Sequence, residues 1–219
     1  MPEERNRVLT DRLSSLLFVP TATGLRNLER EGITDGVELV GDVMLDAFLQ
    51  TPIEREPARA LLDRLGISGE YCLATLHRAE TTSSALELRS RVEYILEVAQ
   101  DRRVVLPLHP RTRAAAERFG VEFGSIRLVD PVDYRVFGGL LAGCSLVMTD
   151  SGGVQKEAYF HRVPCVTLRS ETEWPETIEA GWNRLWTSPE WDEPRREIPD
   201  YGTGQAAVRI VESICSDFG

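Results

Sequence analysis

Ser151, Gly152 and Gly153 follow an apolar run at 146–149 and Asp150, and precede a helix-forming stretch at 154–160. Two glycines at a helix start let the backbone approach a bulky anion. The unpaired N–H groups of the first turn then bind its oxygens, aided by the helix dipole. Ser151 either caps the helix or donates to the anion, and a plain capped turn would use the same residues. Glu157 stands six positions beyond Ser151, within reach of a sugar held at the helix start. A carboxylate there suits acceptance from two neighbouring ribose hydroxyls. Three more polar clusters follow apolar runs: His77-Arg78-Ala79-Glu80, His109-Pro110-Arg111 and Arg169-Ser170-Glu171-Thr172-Glu173. Phosphate-binding amides, a ribose-binding acid and a second sugar-facing cluster together suggest a nucleotide sugar.

The elements that must position these groups alternate. Short β-branched runs at 16–19, 37–40, 71–76, 104–108, 126–129, 146–149, 165–168 and 184–186 read as strands. Between and around them, 3–14, 23–31, 43–49, 57–65, 85–99, 111–119, 134–142, 154–160, 174–180 and 205–215 read as helices. In 85–99 the spacing puts Leu86, Arg89, Val92, Ile95 and Ala99 near one face. Such alternation predicts an α/β fold: a Rossmann-like parallel sheet with helices on both faces. In these sheets ligands bind where strands end and helices begin, so clusters scattered in sequence can converge. Residues 50–57, QTPIEREP, read as a connector. Residues 57–219 then hold about six β-α units, enough for one complete layer. Residues 1–50 either extend the main sheet or are the remnant of a second lobe.

Composition narrows the partners. The chain of 219 residues has 25 basic and 35 acidic side chains, a net charge of -10. That balance disfavours general binding to nucleic acid or to membrane surfaces. Lys156 is the one lysine among the basic residues, which suits a high-salt cytoplasm or a GC-rich genome. Cys72, Cys144, Cys165 and Cys215 are too far apart for a zinc-ligand pair and read as buried free thiols, so no metal is expected. No apolar stretch reaches a membrane span, and the charged start is no signal peptide, so the reading is a cytoplasmic protein.

The runs PEERNRVLTDRLS at 2–14, TLHRAET at 75–81, PLHPRT at 107–112, TDSGGVQKEA at 149–158 and LRSETEWPETIEAGWN at 168–183 resemble, in order and spacing, the non-hydrolysing UDP-N-acetylglucosamine 2-epimerases. The resemblance implies one lobe of a glycosyltransferase-B-like two-lobed fold, with UDP-sugar as the partner. Residues 51–219 would be the C-terminal UDP-binding lobe and 1–50 a remnant of the N-terminal lobe. It further implies that Ser151, Gly152 and Gly153 hold the diphosphate and that Glu157 holds the ribose. Phe137 lies near the uracil, or is a core phenylalanine of its helix. His77 is the active-site histidine and His109 lines the cleft mouth. Arg169 meets phosphate charge or pairs with Glu171 or Glu173. Trp174 departs from the arginine that some members carry. The implied reaction eliminates UDP across C1–C2 and adds it back, and it needs no cofactor. Of the family's catalytic acids only Glu3 has a match, close to the free amino terminus, so slow turnover or none is expected. The alternative is a catalytically inactive UDP-sugar-binding module or half of a split enzyme. A homodimer and a separate N-terminal-lobe polypeptide are the protein partners left open.

Overall fold

The structure, a computed structural model, describes residues 2–191 and 194–218. It divides into two compact units, residues 1–51 with 198–219, and residues 52–197. The first unit holds α1 (Pro2–Leu13), β1 (Leu17–Val19), α2 (Ala22–Arg30), β2 (Val37–Leu39) and α3 (Val43–Gln50). β1 and β2 form a two-stranded parallel sheet, with Leu17, Val19 and Leu28 as its small core.

The second unit runs α4 (Arg55–Arg64), β3 (Tyr71–Thr75), α5 (Ala85–Ala99), β4 (Arg103–Pro107), α6 (Pro110–Phe119), β5 (Arg127–Val129), α7 (Tyr134–Gly143), β6 (Leu146–Thr149), α8 (Gly152–Phe160), β7 (Cys165–Thr167), α9 (Pro175–Glu179) and β8 (Asn183–Leu185). Its six strands are all parallel, in the order β5-β4-β3-β6-β7-β8. Counted within the unit this is 3-2-1-4-5-6, the order of the dinucleotide-binding folds. Successive strand residues face opposite ways, as a period of two demands. Cys72, Ala74, Val104, Leu106, Leu146 and Met148 pack under α5 and α6. Tyr71, Leu73, Val105, Val147 and Cys165 pack on the other face with α4, α7 and α8. Both faces are covered, so the parallel α/β sheet predicted from the alternation is the sheet observed. On the second face α7 lies close against α4. A Cβ on Gly139 would stand 2.5 Å from the Glu54 carbonyl oxygen and 2.8 Å from the Ala58 Cβ. That close approach accounts for a glycine inside a helix.

The last helix, α10 (Ala206–Phe218), belongs with the first unit, whereas the sequence boundaries had placed all of 51–219 in one lobe. Capping explains the difference. Asp46 of α3 is buried, and its carboxylate accepts from the N–H groups of Ala206 and Ala207, at 3.2 and 2.7 Å. Asp200 likewise accepts from the Ala22 N–H that opens α2, at 2.7 Å. Two smaller corrections follow from burial. In α5 the buried face is Leu88, Val92, Ile95 and Ala99, while Leu86 is exposed. Cys215 is exposed rather than buried, on α10. Among the described residues, no helix is long and apolar enough to cross a membrane.

Candidate functional site

The strand order reverses between β3 and β6, and the helices that follow them, α5 and α8, pack on opposite faces. A crevice must open at the carboxyl ends of those two strands. They stay in register to their last residues, Thr75 and Thr149, whose hydroxyls are hydrogen-bonded at 2.5 Å. The next residues on each strand, Leu76-His77 and Asp150-Ser151, therefore emerge side by side. A cleft of about 340 Å³ lies there, lined by His77, His109, Tyr134, Phe137, Ser151 and Glu157 among others.

Asp150 ties the two strand ends together. Its side chain is fully buried. Oδ2 accepts from the backbone N–H groups of His77 and Arg78 and from the Thr81 hydroxyl, each at 2.9 Å. Oδ1 lies 3.1 Å from His77 Nδ1. Burial alone would push the carboxyl up. The bonds from the His77 ring and from the Arg78 and His77 amides outweigh it, and hold Asp150 below the usual carboxylate range.

α8 starts at Gly152, two residues earlier than the sequence pattern suggested, because Ser151 caps it. The Ser151 Oγ accepts from Val154 N–H across a long 3.5 Å, and Ser151 N–H donates to Thr149 Oγ1 at 2.9 Å. The N–H groups of Gly152 and Gly153 have no acceptor among the described residues. A Cβ at Gly152 would meet Trp174 Nε1 at 3.3 Å, Glu173 Oε2 at 3.4 Å and Arg78 Nη2 at 3.8 Å. Charge of both signs thus borders the helix start, the Glu173 carboxylate lying nearer than the Arg78 guanidinium. Arg169 donates to Glu173 Oε1 at 2.6 Å and Arg78 lies 3.7 Å from the same oxygen. Of the two readings of Arg169, pairing with Glu173 is the one this geometry shows. Burial would raise the Glu173 carboxyl, but the bond from Arg169 prevails and holds it low. Trp174 packs on the same turn, with Nε1 donating to the Gly152 carbonyl at 3.0 Å.

One turn into α8, Glu157 reaches the cleft. Burial pushes its carboxyl up to about 7, against the opposing pull of a Tyr134 hydrogen bond and of Lys156. Phe137 is half-buried: it packs on the second-face core, as the core reading expected, and it also lines the cleft. At His109 the ring lies 5.7 Å from that of His77, tilted by 44°. Arg111 bridges the two loops, donating from Nη1 to the His77 carbonyl at 3.1 Å. His161 stands at the C-terminal end of α8 and is not among the residues that line the cleft. Glu3 lies in α1, and its side chain falls outside the described residues.

The cleft therefore brings together His77, His109, Phe137, Ser151 and Glu157, with Gly152, Gly153 and Arg169 at its helix-start border. Sequence reasoning missed two of its members. Asp150 was legible only as the residue before the serine, although an acid at a strand end beside a histidine-bearing strand end was the available signal. Tyr134 sits three residues before Phe137, one helical turn away. Among the described residues no group of three or more His, Cys, Asp or Glu could hold a metal ion.

A parallel 3-2-1-4-5-6 sheet, with the glycine-rich start of α8 and a buried carboxylate at its switch point, defines a Rossmann-like α/β protein with a cleft at the carboxyl ends of its strands. The chain belongs to the UDP-N-acetylglucosamine 2-epimerase family, whose model matches residues 1–215. It is 42% identical over 230 residues to a UDP-N-acetylglucosamine 2-epimerase homolog of Methanococcus maripaludis, covering 97% of this chain and 64% of that one. It is equally 42% identical, over 229 residues, to the UDP-2,3-diacetamido-2,3-dideoxy-D-glucuronate 2-epimerase of Pseudomonas aeruginosa, covering 97% and 63%. Among solved structures it is similar to the Methanocaldococcus jannaschii UDP-GlcNAc 2-epimerase in complex with UDP-GlcNAc and UDP. There the identity is 36% and the TM-score 0.86, over 99% of this chain and 65% of that one. The glycosyltransferase-B-like fold class expected from the motifs is that of these structures. The chain spans just under two thirds of the length of these relatives.

Proposed function

We propose that the cleft holds a UDP-sugar and that the chain serves the C2 epimerisation of UDP-N-acetylglucosamine. One observation carries the reading. The acceptor-free N–H groups of Gly152 and Gly153 open α8, and Glu157, one turn along the same helix, lines the cleft with Phe137. A diphosphate needs donors and positive charge, which the helix start, Arg78 and Arg169 supply. Ribose hydroxyls need an acceptor, which is Glu157, and a uracil face needs an apolar wall, which is Phe137. Likeness to the M. jannaschii enzyme, solved with UDP-GlcNAc and UDP, supports the assignment.

The chemistry follows from the sugar. No ketone activates the C2 hydrogen of an N-acetylhexosamine, so direct exchange there is hard. In the proposed route a base takes the C2 proton while the C1–O bond breaks, leaving 2-acetamidoglucal and UDP. UDP then adds back at C1, and a proton returns to the opposite face of C2. Negative charge grows on the departing diphosphate, and preorganised amides and two arginines answer it there. Glu3 is the acid–base carboxylate proposed from its motif. A second reading keeps the reaction and changes the sugar. The P. aeruginosa relative, equally similar, is named for a diacetamido-glucuronate substrate.

Calorimetry and isotope exchange test this together. UDP should bind the folded chain, and Arg169→Ala should weaken UDP roughly tenfold while leaving uridine unchanged. In deuterium oxide, proton NMR should show loss of the C2 hydrogen from UDP-N-acetylglucosamine, or from the diacetamido-glucuronate if the second reading holds. A folded chain that ignores UDP removes the proposal. Binding without exchange leaves a UDP-sugar-binding module.

A further inference from the structure

His77 and His109 follow the neighbouring strands β3 and β4, and both line the cleft. Their Nδ1 atoms meet partners of opposite kind. At His77, Nδ1 faces the Asp150 carboxylate at 3.1 Å. That carboxylate already accepts three other bonds and is held ionised, so it has no proton to give. Only an N–H at His77 Nδ1 completes the contact. At His109, the Arg111 backbone N–H points at Nδ1 from 3.1 Å. A backbone N–H only donates, so this Nδ1 must present its lone pair. A neutral imidazole carries one proton, and placing it on one nitrogen bares the other. Nε2 of neither ring has a hydrogen-bond partner among the described residues.

We infer that Asp150 and the first-turn amide of α6 hold the two histidines in opposite tautomers, so that the cleft offers a substrate hydroxyl an acceptor at His77 Nε2 and a donor at His109 Nε2–H. Asp150 is then a positioning residue, acting through His77. The groups around the pair are Asp150, Arg78 and Arg111. Arg111 is the one that spans both, through its guanidinium to the His77 carbonyl and its amide to His109. The hydroxyl's identity as part of a UDP-sugar rests on the proposed function; the tautomers do not.

The chain has three histidines, so the measurement is direct. In a histidine-15N-labelled sample at alkaline pH, long-range proton–nitrogen correlations report which nitrogen carries the proton, with His77→Gln and His109→Gln giving the assignments. His77 should be protonated at Nδ1 and His109 at Nε2. Asp150→Asn should shift the His77 tautomer ratio by about tenfold or more, as loss of a charge-assisted bond implies, and leave His109 unchanged. Thr81→Val removes another donor to Asp150 but keeps the carboxylate, so His77 should stay as in the parent. That variant separates tautomer control from simple anchoring of the loop. If Asp150→Asn does not fold, the parent spectrum still decides. An Nε2–H at His77, an Nδ1–H at His109, or an unchanged His77 in folded Asp150→Asn overturns the inference. UDP calorimetry on the same samples reports separately on the proposed function.

Discussion

Glu157→Ala is expected to weaken UDP-N-acetylglucosamine binding by roughly ten- to a hundredfold, the range for losing hydrogen bonds to a charged group. The parent should also show a pH dependence that the variant lacks. Burial pushes the Glu157 carboxyl up to about 7. Acceptance from two ribose hydroxyls calls for the carboxylate, so affinity should rise with pH up to about 7 and level off above it. Both phosphates of the sugar nucleotide are esterified and do not titrate near neutrality, which makes it a cleaner probe than UDP. Stability without ligand runs the other way. Because the folded-state value is raised, the native protein binds the proton more tightly than the unfolded chain. Stability therefore declines as pH rises from the ordinary glutamate range to about 7. Calorimetry across pH 5.5–8.5 would sink the ribose role if Glu157→Ala bound as tightly as the parent throughout.

Asp150→Ala should cost the fold about 3–5 kcal/mol, read by urea unfolding. The substitution strands the amides of His77 and Arg78, the Thr81 hydroxyl and the His77 ring, all of which now meet one buried carboxylate. Asp150 is held below its ordinary range. Its contribution is therefore complete above the unfolded-state value near 4 and is lost as pH falls through the lower folded value. A loss under about 1 kcal/mol would mean that water replaces the carboxylate at no cost, and the strand ends would not depend on it.

How much of this was legible depends on the range of the interaction. Among the described residues, β1–β8 and α1–α10 all fall on stretches that local pattern had marked, because burial on both faces of the main sheet leaves short continuous apolar runs and helix packing leaves a period near 3.6. The strand order is not local. Nothing in residues 71–76 says that their partner on one side is the strand at 146–149, yet that pairing makes the crevice. The same holds for α10. Its tie to the first unit rests on Asp46, 160 positions from Ala206. The Ser151-Gly152-Gly153 turn was readable as a helix start because serine is a good N-cap and its partner groups lie within one turn. Asp150 was not, since its four donors come from a strand end some 70 positions away. The misplaced face of α5 has a local cause. At about 100° per residue Leu86 stands opposite Ile95, whereas Leu88 shares one face with Val92, Ile95 and Ala99, so strict helix geometry already selects Leu88.

Lys156 gives the chain an uneven chemistry. Its ammonium lies 3.9 Å over the Trp174 ring and the residue is 4% exposed, while every other basic side chain is a guanidinium. Reagents that acylate side-chain amines therefore find a single target, and that target lies beneath the segment that borders the start of α8. The acylation rate of Lys156 becomes a clock for how often Trp174 lifts away, without any added probe. A molecule seated at the Gly152 turn would slow that clock, whatever it is and whether or not it is turned over.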